Sequence, residues 1–303
     1  MKKYNLKNIA GLSLVEMLIG IVITSMMIAA IYTSYNVVNK SYSQVTDRAK
    51  ISRSGRDIVE MLMRDVRMAG YKYVLGVNAL DLPTRSYLIF KGGDTKVQDS
   101  HDPLIIVQNK LGYTTKKEDD EGMTPNNPDK DLCCDRIHIV YDDFNQNDAT
   151  QPYKRYKTTY FALPVDQDND KRYAAYKTVQ SWQQGIDAEV GAWVTDCAEC
   201  YVKQKIRDHV VDMEFIPLGF SGKILNPYPM PGASSAARDN LYRISAVDLR
   251  LTFRSKNMFY RFSSTDKPRW LKGLGDRHKA FTDKYLRDSV VVTIHTRNIA
   301  PDL

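Results

Sequence analysis

The chain has 303 residues, of which 43% are hydrophobic and 26% are charged, so it can bury a core and does not have the composition of a disordered protein. Three of the positive charges behind its net charge of +7 belong to Lys2, Lys3 and Lys7. The remaining excess is too small to indicate nucleic-acid binding by itself. The composition indicates one large folded domain or two smaller ones.

The N-terminus carries a membrane-targeting pattern. Residues 1–11 are short, basic and polar, and residues 12–32 are almost wholly apolar. The apolar run is long enough to cross about 30 Å of hydrocarbon as a helix. Because lysines precede it, we expect the N-terminus to stay in the cytoplasm and the rest of the chain to lie outside it. An ordinary secretory signal has its small residue after a shorter apolar run, whereas Gly11 comes before this one. A cut after Gly11 would therefore leave the helix on the mature protein.

Glu16 is the only charged residue in this apolar run. A charge inside a membrane helix costs about 2.5 to 3.5 kcal/mol. A plain signal anchor explains the length of the run and the lysines, but not this carboxylate. If cleavage makes Leu12 the new N-terminus, the α-ammonium of one subunit could pair with Glu16 of its neighbour. Such a pair would fix the axial register between packed helices.

The residues G-L-S-L-V-E, 11–16, followed by an apolar helix, resemble the class III signal of type IV prepilins and pseudopilins. The family pattern most often has Phe after the glycine, where this chain has Leu12. The resemblance implies cleavage after Gly11 by prepilin peptidase and N-methylation of Leu12. Glycine suits the cleavage position because, without a Cβ, it fits a tight protease subsite.

A long helix is predicted to follow. No proline occurs from Leu12 to Ala69, and apolar residues recur at spacings of three and four. We expect one helix of more than 50 residues, loosened near Gly55 and ending near Gly70. Its first part, 12–32, would lie in the bilayer or a fibre core. Its amphipathic continuation, 33–70, would pack on a globular domain, 71–303.

Three later segments narrow the resemblance to the PilW family of minor pilins. These are M-R-D-V-R-M-A-G-Y at 63–71, S-A-V-D-L-R-L-T-F-R-S at 245–255, and Y-L-R-D-S-V-V-V-T-I-H-T-R-N at 285–298. The resemblance implies a complex with other minor pilins in the inner membrane, at the pilus assembly machinery. That complex would prime polymerisation of the major pilin and end at the fibre tip.

The charged residues Arg64, Asp65 and Arg67 allow two interpretations. They could form a solvated helix end, with intrahelical ion pairs worth about 0.2 to 0.5 kcal/mol each. They could instead form a buried ionic hub between helix and domain, or a contact to a neighbouring subunit.

The remainder reads as β-structure. Runs rich in β-branched or aromatic residues predict strands at 136–141, 158–163, 210–216, 247–253 and 290–296. In the run 136–141, apolar and polar residues also alternate with a period of two. We therefore expect an α+β fold, with an antiparallel sheet packed on the N-terminal helix. Long loops are predicted at 116–131 and 227–232.

Four cysteines, Cys133, Cys134, Cys197 and Cys200, would lie on the oxidising side of the membrane. We expect two disulfides joining the 133–134 pair to the 197–200 pair, in unknown order, since adjacent cysteines bond only with strain. Such crosslinks would add roughly 2 to 4 kcal/mol. The alternatives are a zinc site, for which adjacent cysteines make a poor half-site, a redox role of Cys197 and Cys200, and free thiols.

Other candidate sites are weaker. Asp166, Asp168 and Asp170 begin like a calcium loop, but lysines replace its glycine and its closing glutamate. Asp143, Asn145 and Asn147 form a second weak match to a calcium loop. Polar turns, in which Asp and Asn are common, explain both matches. The five histidines are scattered, and no nucleophile motif or phosphate-binding glycine loop occurs. The sequence thus predicts a non-enzymatic protein without a cofactor.

Two rival functions remain open. A minor pseudopilin of a type II secretion system shares the N-terminus and the general fold. A pilus-tip subunit could instead use the middle of the chain to grip a surface or DNA. The three later segments favour the pilus over the secretion system, and the mild positive charge permits a tip-binding role without requiring it.

Overall fold

The computed structural model describes residues 13–71, 103–108, 134–144, 153–165, 172–183, 192–230, 240–260, 268–274 and 277–299. The long helix α1 spans Leu14–Met68. The strands are β1 Leu104–Val107, β2 Arg136–Phe144, β3 Tyr153–Pro164, β4 Tyr173–Gln183, β5 Ala192–Val194, β6 Tyr201–Leu218, β7 Ala246–Arg254, β8 Arg269–Lys272, β9 His278–Phe281 and β10 Arg287–His295. The predicted loop at 116–131 lies outside the described residues.

Antiparallel pairing joins eight of these strands in one sheet. Their order is β1-β2-β3-β4-β6-β7-β10, with β5 paired to β4, while β8 and β9 form a separate two-stranded sheet. A long N-terminal helix followed by an antiparallel sheet confirms the α+β prediction. The five predicted strands correspond to β2, β3, β6, β7 and β10. The long central strand β4 was missed, because its polar residues Lys177, Thr178 and Ser181 are buried and hide the hydrophobic pattern.

The chain divides into two compact units, residues 1–49 and 50–303. The first unit is helical over its described residues. The second contains the last turns of α1 and all the strands. Within it, the helix buries one apolar face against the sheet, formed by Ile51, Ile58, Val59, Leu62 and Val66. The sheet contributes Ile137, Ile139, Tyr160, Leu249, Leu251 and Phe253 to the same core.

Val38, Tyr42 and Val45 fall within the segment 33–70 that was expected to pack on the domain, but they are 64%, 73% and 69% exposed. They belong to the first unit. The buried helical face therefore begins at Ile51, later than the expected continuation from residue 33.

Gly55 does not loosen the helix, contrary to the prediction, since α1 is continuous through it. A Cβ at this position would meet Val290 Cγ2 at 2.9 Å and Phe253 Cε2 at 3.2 Å. Glycine is therefore needed for close approach of the helix to β7 and β10.

The helix ends as predicted. Gly70 has a φ of 73°, the left-handed conformation that glycine adopts after a helix C-terminus. Its N–H donates to the carbonyl of Val140 at 2.8 Å, and the N–H of Asp142 donates to the carbonyl of Tyr71 at 2.8 Å. Two backbone bonds thus join the end of the helix to β2.

A buried ionic hub joins the last turn of α1 to the middle of the sheet. Asp65 is 3% exposed. Its Oδ2 lies 2.6 Å from Lys177 Nζ on β4 and accepts a 2.6 Å hydrogen bond from the Tyr160 hydroxyl on β3. Burial, together with the Asp65 carboxylate, raises the pKa of Tyr160, so this hydroxyl keeps its proton and donates.

The two interpretations of the helix end therefore apply to different residues. Asp65 forms the buried hub, whereas Arg64 and Arg67 are exposed. Arg64 still approaches Asp65, with its Nε 3.4 Å from Oδ1, but its side chain is 75% exposed. An exposed pair of this kind contributes about 0 to 1 kcal/mol.

We predict that Lys177→Met destabilises the full chain in nonionic detergent micelles by about 3 to 5 kcal/mol, because it leaves the Asp65 carboxylate buried without its cation. Arg64→Met, which removes the exposed cation on the same carboxylate, should cost no more than about 1 kcal/mol. Denaturant unfolding gives the free energy of unfolding of each variant. Equal losses of this free energy in the two variants would show that the buried pair contributes no more than the exposed one.

Candidate assembly site at the start of the helix

Gly11 and Leu12, the predicted cleavage and methylation residues, lie outside the described part of the chain, which begins at Ser13. From there the helix start is built by Ser13 and Glu16. The Ser13 Oγ accepts a hydrogen bond from the Glu16 N–H at 3.2 Å. In return, Glu16 Oε2 accepts from the Ser13 N–H at 3.0 Å. This reciprocal pair is a capping box, which satisfies two N–H groups at the helix start.

The carboxylate of Glu16 therefore has a role within its own chain, which the sequence argument missed. The signal was present, because S-L-V-E at 13–16 has the Ser-x-x-Glu spacing of a capping box. A negative charge in the first turn also interacts favourably with the helix dipole. Only Oε2 is used in the cap, and no described residue donates to Oε1. Cleavage after Gly11 would leave all atoms of this cap in place.

The helix that follows has no polar face over its first half. Leu14 is 77% exposed and Ile31 is 65% exposed. The other large apolar side chains exposed between them are Val15, Met17, Leu18, Ile19, Ile21, Val22, Ile23, Met26, Met27 and Ile28. By length and composition, α1 can cross a membrane. A helix that is apolar on all sides needs either lipid or other helices around it.

The Ser and Thr hydroxyl groups between Thr24 and Thr33 donate to carbonyl groups of the helix itself. Thr24 Oγ1 donates to the Gly20 carbonyl at 2.6 Å, and Ser25 Oγ donates to the Ile21 carbonyl at 2.8 Å. Thr33 Oγ1 donates in the same way to the Ala30 carbonyl at 2.8 Å. These hydroxyl groups therefore add little to the free-energy cost of placing the helix in hydrocarbon. The carboxylate of Glu16 is the exception, and it stands at the end of the segment.

The expected crosslinks between the two cysteine pairs are wrong. Cys197 and Cys200 bond to each other, with their Cα atoms 4.9 Å apart. The Cys200 N–H donates to the Cys197 carbonyl at 3.0 Å, so a tight turn before β6 brings the two sulfurs together. With these sulfurs bonded, the zinc half-site considered from the sequence does not form. Cys134 is buried, and Cys133 lies outside the described residues.

The calcium candidates Asp166, Asp168 and Asp170 also lie outside the described residues, as do Asn145 and Asn147. Asp143 is exposed on β2. Among the residues that the structure describes, no three His, Cys, Asp or Glu side chains are grouped to hold a metal ion.

One acidic cluster is buried, and an arginine occupies it. Asp135, Asp212 and Glu214 surround the guanidinium of Arg277, which is bonded to Asp135 and lies 3.3 Å from Asp212 Oδ1. Glu214 Oε2 also accepts from the Leu274 N–H at 2.8 Å. The cluster ties the β8–β9 hairpin to β6. Burial raises the pKa of Asp212 to about 8, although Arg277 acts in the opposite direction.

Comparison with known proteins supports the N-terminal prediction. Residues 6–32 match the prokaryotic N-terminal methylation motif. No curated protein matches the chain. Among solved structures, the chain is similar to the type IV-like pilin TTHA1219 from Thermus thermophilus, with 14% identity and a TM-score of 0.31 over 55% of this chain and 81% of that one. The chain thus carries the methylation motif of prepilin-like proteins, at the place where its apolar helix begins.

Ser13→Ala should weaken the helix start by about 1 kcal/mol, because Glu16 loses its side-chain acceptor. Amide exchange at Glu16, measured by NMR in micelles, should become about fivefold faster. Ser13→Thr keeps the hydroxyl and should exchange nearly as slowly as the parent chain. Equal exchange rates in the two variants would contradict the capping role.

The raised pKa of Asp212 predicts a pH dependence of stability. Between the ordinary aspartate range and about pH 8, the folded chain holds a proton that the unfolded chain has released. This group therefore lowers the free energy of unfolding as the pH rises through that window. Asp212→Asn imitates the protonated acid, so its melting temperature relative to the parent should increase from about pH 5 to pH 8. The exposed Asp196→Asn is the control, and a parallel trend in both variants would refute the assignment.

Proposed function

We propose that this protein is a minor pilin of a type IV pilus that primes fibre assembly and ends at the fibre tip. The observation that carries the proposal is the methylation motif over 6–32, set on an apolar helix whose first turn holds the Glu16 carboxylate. Leader removal, insertion in the inner membrane and helix packing are the steps that these residues serve.

The arrangement of the three segments that resemble minor pilins supports the assignment to this class. The segment 245–255 contains β7 and the segment 285–298 contains β10, and the two strands pair along their full lengths. The Asn298 side chain donates to the Arg67 carbonyl at 3.0 Å, which joins the last segment to 63–71. Segments far apart in sequence therefore form one contiguous part of the second unit.

The mechanism is non-enzymatic. Prepilin peptidase would cut after Gly11, and methylation would act on Leu12. The new α-ammonium would carry a positive charge next to the first turn of the helix. The Oε1 of Glu16, which the intrachain cap does not use, is available to the ammonium of a neighbouring pilin. That pairing would neutralise two charges in hydrocarbon and set the axial register.

The partners of this mechanism are the lipid bilayer, other minor pilins, the major pilin and the inner-membrane assembly machinery. The second unit would be periplasmic before assembly and exposed at the cell surface afterwards. A minor pseudopilin of a type II secretion system would use the same N-terminal steps. The segments 63–71, 245–255 and 285–298 favour the pilus, by resemblance.

Deletion of the gene should reduce surface pili while the cellular pool of major pilin persists, because priming precedes polymerisation. The measurement compares sheared with total major pilin, with complementation by the parent gene. Unchanged surface pili would overturn the priming proposal, and loss of protein secretion would favour the pseudopilin.

Complementation with Glu16→Gln and Glu16→Ala separates the two roles of this residue. Glutamine at the third helical position still completes a capping box but carries no charge, whereas alanine does neither. If pairing with a neighbour's ammonium matters, both variants should fail to restore surface pili at normal protein levels. If Glu16→Gln restores them as the parent does, the intrachain cap is sufficient and the pairing is wrong.

A further inference from the structure

The strand β6 is distorted where it passes β4, and a groove opens at the distortion. The β4–β6 register shifts between Ala175 and Tyr176 and again between Tyr173 and Ala175, so β6 carries extra residues there. These bulges place consecutive residues 205–209 along a groove of about 730 Å³. Bulges of this kind redirect side chains and are frequent beside binding sites.

Basic residues are numerous in the lining of the groove. Five of them line it, and they come from three parts of the fold: Arg172 before β4, Lys205 and Arg207 on β6, and Arg254 and Lys256 at the end of β7. Among the lining residues that the structure describes, one is acidic, Asp208, and its carboxylate lies 3.1 Å from Lys205 Nζ. The described lining residues therefore include more bases than acids.

The interior cations of the groove are held in place and incompletely solvated. The Arg254 guanidinium lies 4.0 Å from the ring centre of Tyr285, which fixes its plane. Burial lowers the pKa of Arg207, although Asp208 and Asp57 act in the opposite direction. The buried Nε of Arg207 has no hydrogen-bond partner among the described residues. A buried donor of this kind is costly unless a ligand or water satisfies it.

His209 adds a second unsatisfied group and a strained backbone. Its φ is 62°, a conformation that non-glycine residues seldom adopt. Its buried Nδ1 also finds no hydrogen-bond partner in the described part of the chain. Strained residues with open polar atoms concentrate at binding sites.

We propose that this groove binds a ligand through a terminal phosphate group. Guanidinium groups present paired donors that match the oxygens of phosphate, and the lysines add point charges. A terminal phosphate carries close to two negative charges, which suits a groove lined by five basic residues. It can also enter a groove end-on, whereas a phosphodiester within a chain carries one charge and is flanked on both sides. The site is independent of the N-terminal motif and of the proposed role in pilus assembly.

Calorimetric titration of the full chain in nonionic micelles with inorganic phosphate tests the proposal. Chloride at matched ionic strength is the reference. Lys205→Glu combined with Lys256→Glu should weaken phosphate binding at least about tenfold, because two attractive charges become repulsive. Lys223→Glu combined with Lys272→Glu makes the same change at exposed lysines that do not line the groove, and should leave binding unchanged.

Absence of phosphate binding to the parent chain, or equal loss in both double variants, would overturn the proposal. Near-parental melting temperatures in both double variants show that the effect is local.

A second arm separates a terminal phosphate from a nucleic-acid backbone. A 5′-phosphorylated dinucleotide should bind more tightly than the same dinucleotide without its terminal phosphate. Equal binding of the two would show that the groove contacts phosphodiesters, and would overturn the terminal-phosphate assignment. This result would leave the role of the helix in assembly untouched, since the groove and Glu16 belong to different units.

Discussion

The buried pair of Asp65 and Lys177 determines how the end of the helix lies on the sheet. Lys177 belongs to β4, which pairs with both β3 and β6 and so connects the two halves of the sheet. Tyr160 on β3 donates to the same carboxylate oxygen. Apolar packing alone would tolerate a small rotation or slide of the helix, because contacts between hydrophobic side chains are not directional. A buried carboxylate with two short contacts does not tolerate such a shift, since its charge would lose its partners.

The charged groups of the second unit are arranged in two different ways. At Asp65 and at Arg277, which pairs with Asp135, opposite charges meet inside the fold and hold an element in place, the helix end in one case and the β8–β9 hairpin in the other. In the groove beside the β6 bulges, basic residues lie close together, and the buried Nε of Arg207 has no acceptor in the described part of the chain. The first arrangement pairs opposite charges within the chain. An anion would supply acceptors in the second arrangement, which is why we propose a ligand site at the groove and a structural role for the two buried clusters.

Glu16 has a local role in the helix cap, and the proposed assembly gives the same side chain an intermolecular one. As part of the capping box, it begins the helix with one carboxylate oxygen. The other oxygen has no described donor, and it stands at the start of a segment with apolar side chains on all sides. A capping glutamate on a soluble helix would be hydrated at no cost. In hydrocarbon the same carboxylate needs a cation, and in the proposed assembly a neighbouring subunit supplies it.

The sequence alone determined the features that depend on neighbouring residues. The methylation motif, the long helix, its end at Gly70 and five of the strands follow from local spacing, turn chemistry and hydrophobic periodicity. The candidate capping box was also readable from Ser13 and Glu16. Tertiary structure decided what depends on distance in space. The disulfide formed within the tight turn at Cys197 and Cys200, and β4 became a central strand because its polar residues found buried partners. Gly55 proved to be a contact position, and the cations of the groove came together from separate strands, since packing brings distant residues together in ways that local spacing does not encode.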